Sequence, residues 1–184
     1  MRTRGFALME LLVAGSILFV AGSVLSGLFL KHVDALELAT QQNDLRTQVQ
    51  VALQSITKQL RHGTRAGAAR AVIPAPPNNT QIQWYRPADL DGNGVIVDAS
   101  GAIEWDLANP ITYQYVAATR QLERRQGAAV EILANDVSAA SFEDQTMDLL
   151  LNTDEVRVRL TLQRTTPQRR VVSAPASAIV QLRN

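Results

Sequence analysis

From Phe6 to Leu30 the chain reads Phe-Ala-Leu-Met-Glu-Leu-Leu-Val-Ala-Gly-Ser-Ile-Leu-Phe-Val-Ala-Gly-Ser-Val-Leu-Ser-Gly-Leu-Phe-Leu, and Glu10 is its only charge. No other feature constrains the fold so strongly. A run of this length spans a bilayer as a helix with some tilt, since crossing takes roughly 20 mostly apolar residues. An ordinary secretory signal has an apolar core of roughly 7–15 residues followed by a small-residue cleavage site. Here the run is longer, and Ala21, Gly22, Ser23, Ser26 and Gly27 lie inside it. Arg2 and Arg4 precede it, which favours a cytoplasmic amino end and an exported remainder. A plain anchor leaves Glu10 unexplained, because a carboxylate well inside such a segment costs roughly 2.5–3.5 kcal/mol on insertion scales. An intramembrane carboxylate is therefore read as functional.

Beyond Leu30 the pattern changes without a break. No proline or glycine occurs from Lys31 to His62, and Gly63 follows as a helix stop. Leu45, Val49, Ala52, Leu53, Ile56 and Leu60 recur at three- and four-residue steps, while Gln41, Asn43, Asp44, Arg46, Gln48, Lys58 and Arg61 fall largely off that stripe. The expectation is one helix of roughly 55 residues, some 80 Å long, apolar all round in its first half and amphipathic in its second. The stripe is too short for a free coiled coil, so packing on a sheet is expected.

After Gly63 the composition shifts to a loop marked by Pro74, Pro76, Pro77, Asn78 and Asn79, and then to short β-rich runs. Strands are predicted near 81–85, 95–98, 111–116, 121–125, 131–133, 140–143, 155–163 and 178–182. In the seventh, Val156, Val158, Leu160 and Leu162 alternate with Arg157, Arg159 and Thr161. Ala118-Thr119 reads as a hairpin turn. The fold class is thus α+β, one long amino-terminal helix on an antiparallel sheet. Its divisions are 1–5, 6–30 in the membrane, 31–62 as the amphipathic continuation, and 63–184 as the β domain.

Charge and composition exclude several functions. Lys and Arg number 18 against 17 Asp and Glu, with the basic residues scattered, so no nucleic-acid groove is expected. Cysteine is absent, which removes disulfides, thiolate zinc sites and thiol catalysis. Only His32 and His62 are available for histidine chemistry, and His62 is expected to close the helix end beside Arg61. Asp144, Asp148, Asp154 and Glu155 are expected to be solvated loop charges. Trp84, Tyr85, Trp105, Tyr113 and Tyr115 are expected in the core or at an edge, with Trp84 and Tyr85 a candidate partner surface.

One loop raises a cofactor. Asp89-Leu90-Asp91-Gly92-Asn93-Gly94 places oxygen ligands on alternate residues with glycine at the turn, as in the first half of a calcium loop. Asp89, Asp91, Asn93 and Asp98 are the candidate ligands, with Glu104 a nearby acidic alternative. Ser100 stands where the bidentate glutamate belongs, so an EF-hand is excluded. A structural calcium ion and a plain Asp/Asn/Gly turn both stay open.

Arg4-Gly5-Phe6-Ala7-Leu8-Met9-Glu10-Leu11-Leu12 resembles the type III signal of type IV prepilins and pseudopilins, with Ala7 departing from the usual threonine or serine. The resemblance implies cleavage by a prepilin peptidase between Gly5 and Phe6, N-methylation of Phe6, and Glu10 as the fifth residue of the mature chain. It implies that Glu10 pairs with the new amine of a neighbouring subunit in a filament, where low dielectric strengthens the attraction. It also implies partners: the peptidase, other minor and major pilin or pseudopilin subunits, and an inner-membrane assembly platform. Weaker patches resemble W-type minor pilins and J-type minor pseudopilins: the stretch from Asn43-Asp44-Leu45-Arg46 through Leu60-Arg61-His62-Gly63, then Ile111–Tyr113 with Leu122–Arg124, and the ending Gln181–Asn184. No proline interrupts residues 6–62, and no disulfide can form, which favours a minor over a major subunit. Glu10 itself argues against the K-type pseudopilin. Three functions follow: a minor pilin-like subunit at a filament tip or initiation complex, a J-type pseudopilin of type II secretion, or a membrane-anchored periplasmic enzyme or binding domain.

Overall fold

The computed structural model describes residues 4–65 and 67–183, with side chains from Leu8 onward. The first three residues of the expected leader lie outside the described residues, as do the side chains at the Gly5–Phe6 junction and Asn184. The chain divides into two compact units, Met1–Gln41 and Gln42–Asn184. The fold is α+β, a long amino-terminal helix and antiparallel sheets.

Helix α1 covers Arg4–Leu60. Leu45, Val49, Ala52, Leu53, Ile56 and Leu60, the stripe read from spacing, are each at most 7% exposed. The stripe therefore faces the β domain of its own unit. The hydroxyls of Thr40 and Thr47 donate to the carbonyls of Leu36 and Asn43 one turn back, which satisfies them within the helix. Lys58 stands in the last turn, where a cation suits the carbonyl end of the dipole. The amide of Gly63 then donates to the Leu60 carbonyl at 2.9 Å. Gly63 is needed for room: a Cβ there would lie 3.2 Å from the Leu60 carbonyl oxygen and 3.4 Å from Trp84 Cε3.

Seven strands follow: β1 (Gln81–Trp84), β2 (Ile111–Val116), β3 (Gln121–Gln126), β4 (Ala129–Ala134), β5 (Val137–Glu143), β6 (Glu155–Thr165) and β7 (Val171–Gln181). The expected hairpin is present, Val116 pairing with Gln121 across the Ala118-Thr119 turn. All pairings between these strands are antiparallel, but they form two sheets in place of the single one expected: β1-β2-β3-β4 and β5-β6-β7. The division falls at Asp136, which takes a left-handed φ of 58°. After it the Val137 amide bonds to the Arg120 carbonyl, and the chain does not continue alongside β4.

Two strand expectations change. Residues 95–98 form no strand; Val97 makes only an isolated bridge with Ile103. Backbone bonds from the Asp98 amide to the Ala102 carbonyl at 2.9 Å and from the Glu104 amide to the Ile96 carbonyl at 3.0 Å flank this bridge. The Asp98 carboxylate takes the amides of Ser100 and Ala102, so the pairing ends in a tight turn and does not extend into a strand. The last strand begins at Val171, well before residue 178. Its Ser173-Ala174-Pro175-Ala176-Ser177 stretch carries little β signal, and proline is tolerated because β7 is an edge strand.

In β6, Val156, Val158, Leu160 and Leu162 are buried as their alternation requires. Trp84, Tyr113 and Phe142 are the largest fully buried side chains. Trp84 is thus core and not partner surface. A polar clamp fixes the helix end to the first sheet: Gln59 Oε1 accepts from the Tyr113 hydroxyl at 2.7 Å and from Arg124 Nε at 2.9 Å. At the other sheet, Arg164 pairs with Asp44 of the helix at 3.0 Å and with Asp136 at 2.8 Å.

Candidate functional site: an exposed apolar helix with one carboxylate

Every residue from Leu8 to Leu30 is exposed. The large apolar side chains among them, from Leu8 through Phe19 to Leu30, are 52–77% exposed. A continuous apolar surface of this extent far exceeds the patches that a water-soluble monomer tolerates. It needs lipid or other apolar helices around it, and the helix is long and apolar enough to cross a membrane.

The polar groups on this segment differ in how they are satisfied. Ser16 and Ser23 donate their hydroxyls to the carbonyls of Val13 and Val20, each at 2.8 Å. Both therefore enter an apolar medium without needing an outside partner. Open space surrounds the Cα of Gly15, Gly22 and Gly27, so nothing among the described residues explains their small size. Glu10 lies among Met9, Val13, Ala14 and Ile17, a shallow apolar groove along the helix. Among the described residues no hydrogen bond or ion pair reaches the Glu10 carboxylate.

The acidic loop is assembled differently from its sequence reading. Asp89, Asp91 and Glu104 bring carboxylate oxygens within 4.8 Å of one another. Asp98 is not among them; its Oδ1 accepts from the Ser100 amide and hydroxyl and the Ala102 amide. Asn93 turns its Oδ1 to the Val95 amide at 2.8 Å. Glu104, the alternative, takes the remaining place, its Oε2 accepting from the Leu90 amide. The three carboxylates form an all-oxygen set of the type a hard dication takes. The loop also closes on itself: Asp89 accepts from the amides of Gly92 at 2.8 Å, Asn93 at 3.1 Å and Gly94 at 2.8 Å. The Gly94 amide above all holds the Asp89 carboxyl below its usual value, and the Ser100 hydroxyl does the same for Asp98.

Of the four acids expected to be solvated charges, Asp154 and Glu155 form only exposed hydrogen bonds among the described residues, with Gln181 and the Asn152 amide, but Asp144 and Asp148 are ion-paired. Asp144 is buried and pairs with Arg65 at 3.0 Å, while Asp148 pairs with Arg157. Burial pushes the Asp144 carboxyl up, but the Thr146 hydroxyl and amide and the Arg65 guanidinium together hold it below its usual value. Spacing could not reveal these pairs, since Arg65 and Asp144 meet across the sequence only through the fold. His62 is exposed at the helix end. Burial raises the Tyr113 hydroxyl well above the usual tyrosine range, against the pull of neighbouring Arg124. It stays a neutral donor to Gln59. No family model, curated protein or solved structure matches the chain.

Proposed function

We propose that this chain is a minor pilin-like structural subunit, processed between Gly5 and Phe6 and built into the tip or initiation complex of a type IV pilus. The observation that carries this reading is the uncovered apolar surface of residues 8–30 with Glu10 as its single charge. Before assembly, lipid covers that surface in the bacterial inner membrane, the amino end cytoplasmic and the β domain periplasmic. After assembly, neighbouring helices cover it. Cleavage removes Arg2 and Arg4 and leaves a cationic amine on Phe6. In an apolar bundle the Glu10 carboxylate and a neighbour's amine attract strongly, and leaving either alone costs several kcal/mol. That penalty fixes the axial register of the subunits. The open positions at Gly15, Gly22 and Gly27 suit close helix approach. The subunit's role in this reading is structural and not enzymatic.

Amino-terminal mass spectrometry of membrane-extracted protein tests the proposal directly. The expected product begins with N-methylated Phe6; a chain beginning at Met1 sinks it. Glu10→Ala is expected to be cleaved normally and to enter filaments poorly, as read by sheared-filament immunoblots. Normal incorporation of that variant would refute the charge-pairing step.

A further inference from the structure

Strand β7 is an edge strand, paired with β6 on one side only. The direction of its free backbone groups follows from the register. Thr161 lies opposite Pro175, and the Thr161 carbonyl accepts from Ser138 of β5, so its polar groups point away from β7. Pro175, Ser177, Ile179 and Gln181 share that phase, and their backbone groups point out from the sheet. Proline has no N–H to offer, so the usable edge begins after it. Among the described residues, no backbone hydrogen bond from the outward groups of Ser177 or Ile179 is present. An edge of this type is a template for another strand.

This edge borders a cleft of ≈ 810 Å³ between β7 and the last turns of α1, lined by Lys58, Arg61, His62, Ala176, Ser177 and Ala178 among others. The small β7 side chains leave the cleft open. Its cations are unneutralised: Lys58, Arg61 and, in the adjoining cleft, Arg183 have no ion-pair partner among the described residues. Among the described residues Glu155 is the one acid lining these clefts, and its Oε2 accepts from the Asn152 amide. Arg157 and Arg159 beneath Ser177 and Ile179 are already paired with Asp148 and Glu143. The uncompensated charge therefore lies on the helix side of the edge.

We propose that the β7 edge over Ala176–Gln181 takes an extended acidic segment of a partner protein as an added strand, its acidic side chains alternating toward Lys58, Arg61 and Arg183. Main-chain bonds to Ser177 and Ile179 supply the pairing, and the cations select the partner. This site does not depend on the filament reading, and its test is separate from amino-terminal processing.

The probe is a short synthetic peptide of alternating Thr and Glu, titrated against the full chain in uncharged detergent, with the Thr–Lys peptide as control. The Thr–Glu peptide is expected to saturate below about 1 mM, and the control not to bind. Hydrogen exchange at the Ser177 and Ile179 amides is expected to slow in the complex. Ser177→Pro removes one outward donor without changing charge and is expected to weaken binding at least about tenfold. Lys58→Glu with Arg61→Glu, remote from the β7 backbone, is expected to abolish binding, with melting curves confirming that each variant folds. No binding of the acidic peptide, or binding that leaves amide exchange and Ser177→Pro affinity unchanged, would overturn strand addition.

Discussion

Replacing Gln59 by leucine tests how the helix end is fixed to the first sheet. In the native protein Gln59 Oε1 accepts two hydrogen bonds, from the fully buried Tyr113 hydroxyl and from Arg124 Nε. Leucine keeps the volume and removes both. The Tyr113 proton then has no acceptor in a site that water does not reach, a penalty of about 1–3 kcal/mol. Arg124 suffers less, since it retains Gln126 at 2.9 Å and Glu131 at 3.6 Å and is partly exposed. The expected loss is about 2–3 kcal/mol, a large share of a marginal domain's stability. Tyr113→Phe alone removes the orphan itself and is expected to cost about 1 kcal/mol. The double variant should recover about 1 kcal/mol relative to the sum of the single variants, as groups sharing one bond do. Urea unfolding of the detergent-solubilised chain, followed by the fluorescence of buried Trp84, gives all four values. A Gln59→Leu protein within about 0.5 kcal/mol of wild type, or strict additivity, would show that the clamp does not hold the helix.

Three further outcomes follow from local structure. Asp144 has its carboxyl held down in the folded state, so its contribution is present above the unfolded value of 3.8 and lost as pH falls through the lower folded one. Asp144→Asn should cost about 1–2 kcal/mol near neutrality and flatten the acid limb of a stability-against-pH curve below pH ~4; an unchanged limb counts against the Arg65 pair. Gly63→Ala should lower stability by about 1 kcal/mol, because neither the Leu60 carbonyl nor the buried Trp84 ring can yield; a neutral melting shift would show otherwise. Asp89→Asn should speed amide exchange at Gly92, Asn93 and Gly94 with little change in global melting, and unchanged exchange rates would refute its capping role. Calcium added to the same exchange measurement assigns an ion to Asp89, Asp91 and Glu104 only if it protects the wild-type loop and not the variant.

What could be read in advance is what depends on near neighbours along the chain. The apolar run to Leu30 and the Leu45–Leu60 stripe are properties of consecutive side chains on one helix, and a 3.6-residue period forces them onto a face whatever they meet. The Val156–Leu162 alternation is equally local. The start of β7 escaped because Pro175 and its small neighbours suppress the strand signal, and an edge position that tolerates them exists only once β6 is in place. Residues 95–98 erred in the opposite sense: apolar side chains suggested a ladder, but the pairing with 102–104 stops at one bridge, where the Asp98 carboxylate turns the chain by taking the amides of Ser100 and Ala102.

A long helix whose first half is apolar all round and carries one carboxylate follows from the order of residues alone, because hydrophobicity and spacing need no partner to be recognised. The folded chain adds that two sheets form, that Glu104 and not Asp98 joins Asp89 and Asp91, that Asp144 meets Arg65, and that a basic cleft lies beside the open edge of β7. Each of these is a contact between residues distant in the chain, and the energy of such a contact depends on a geometry that no local pattern encodes.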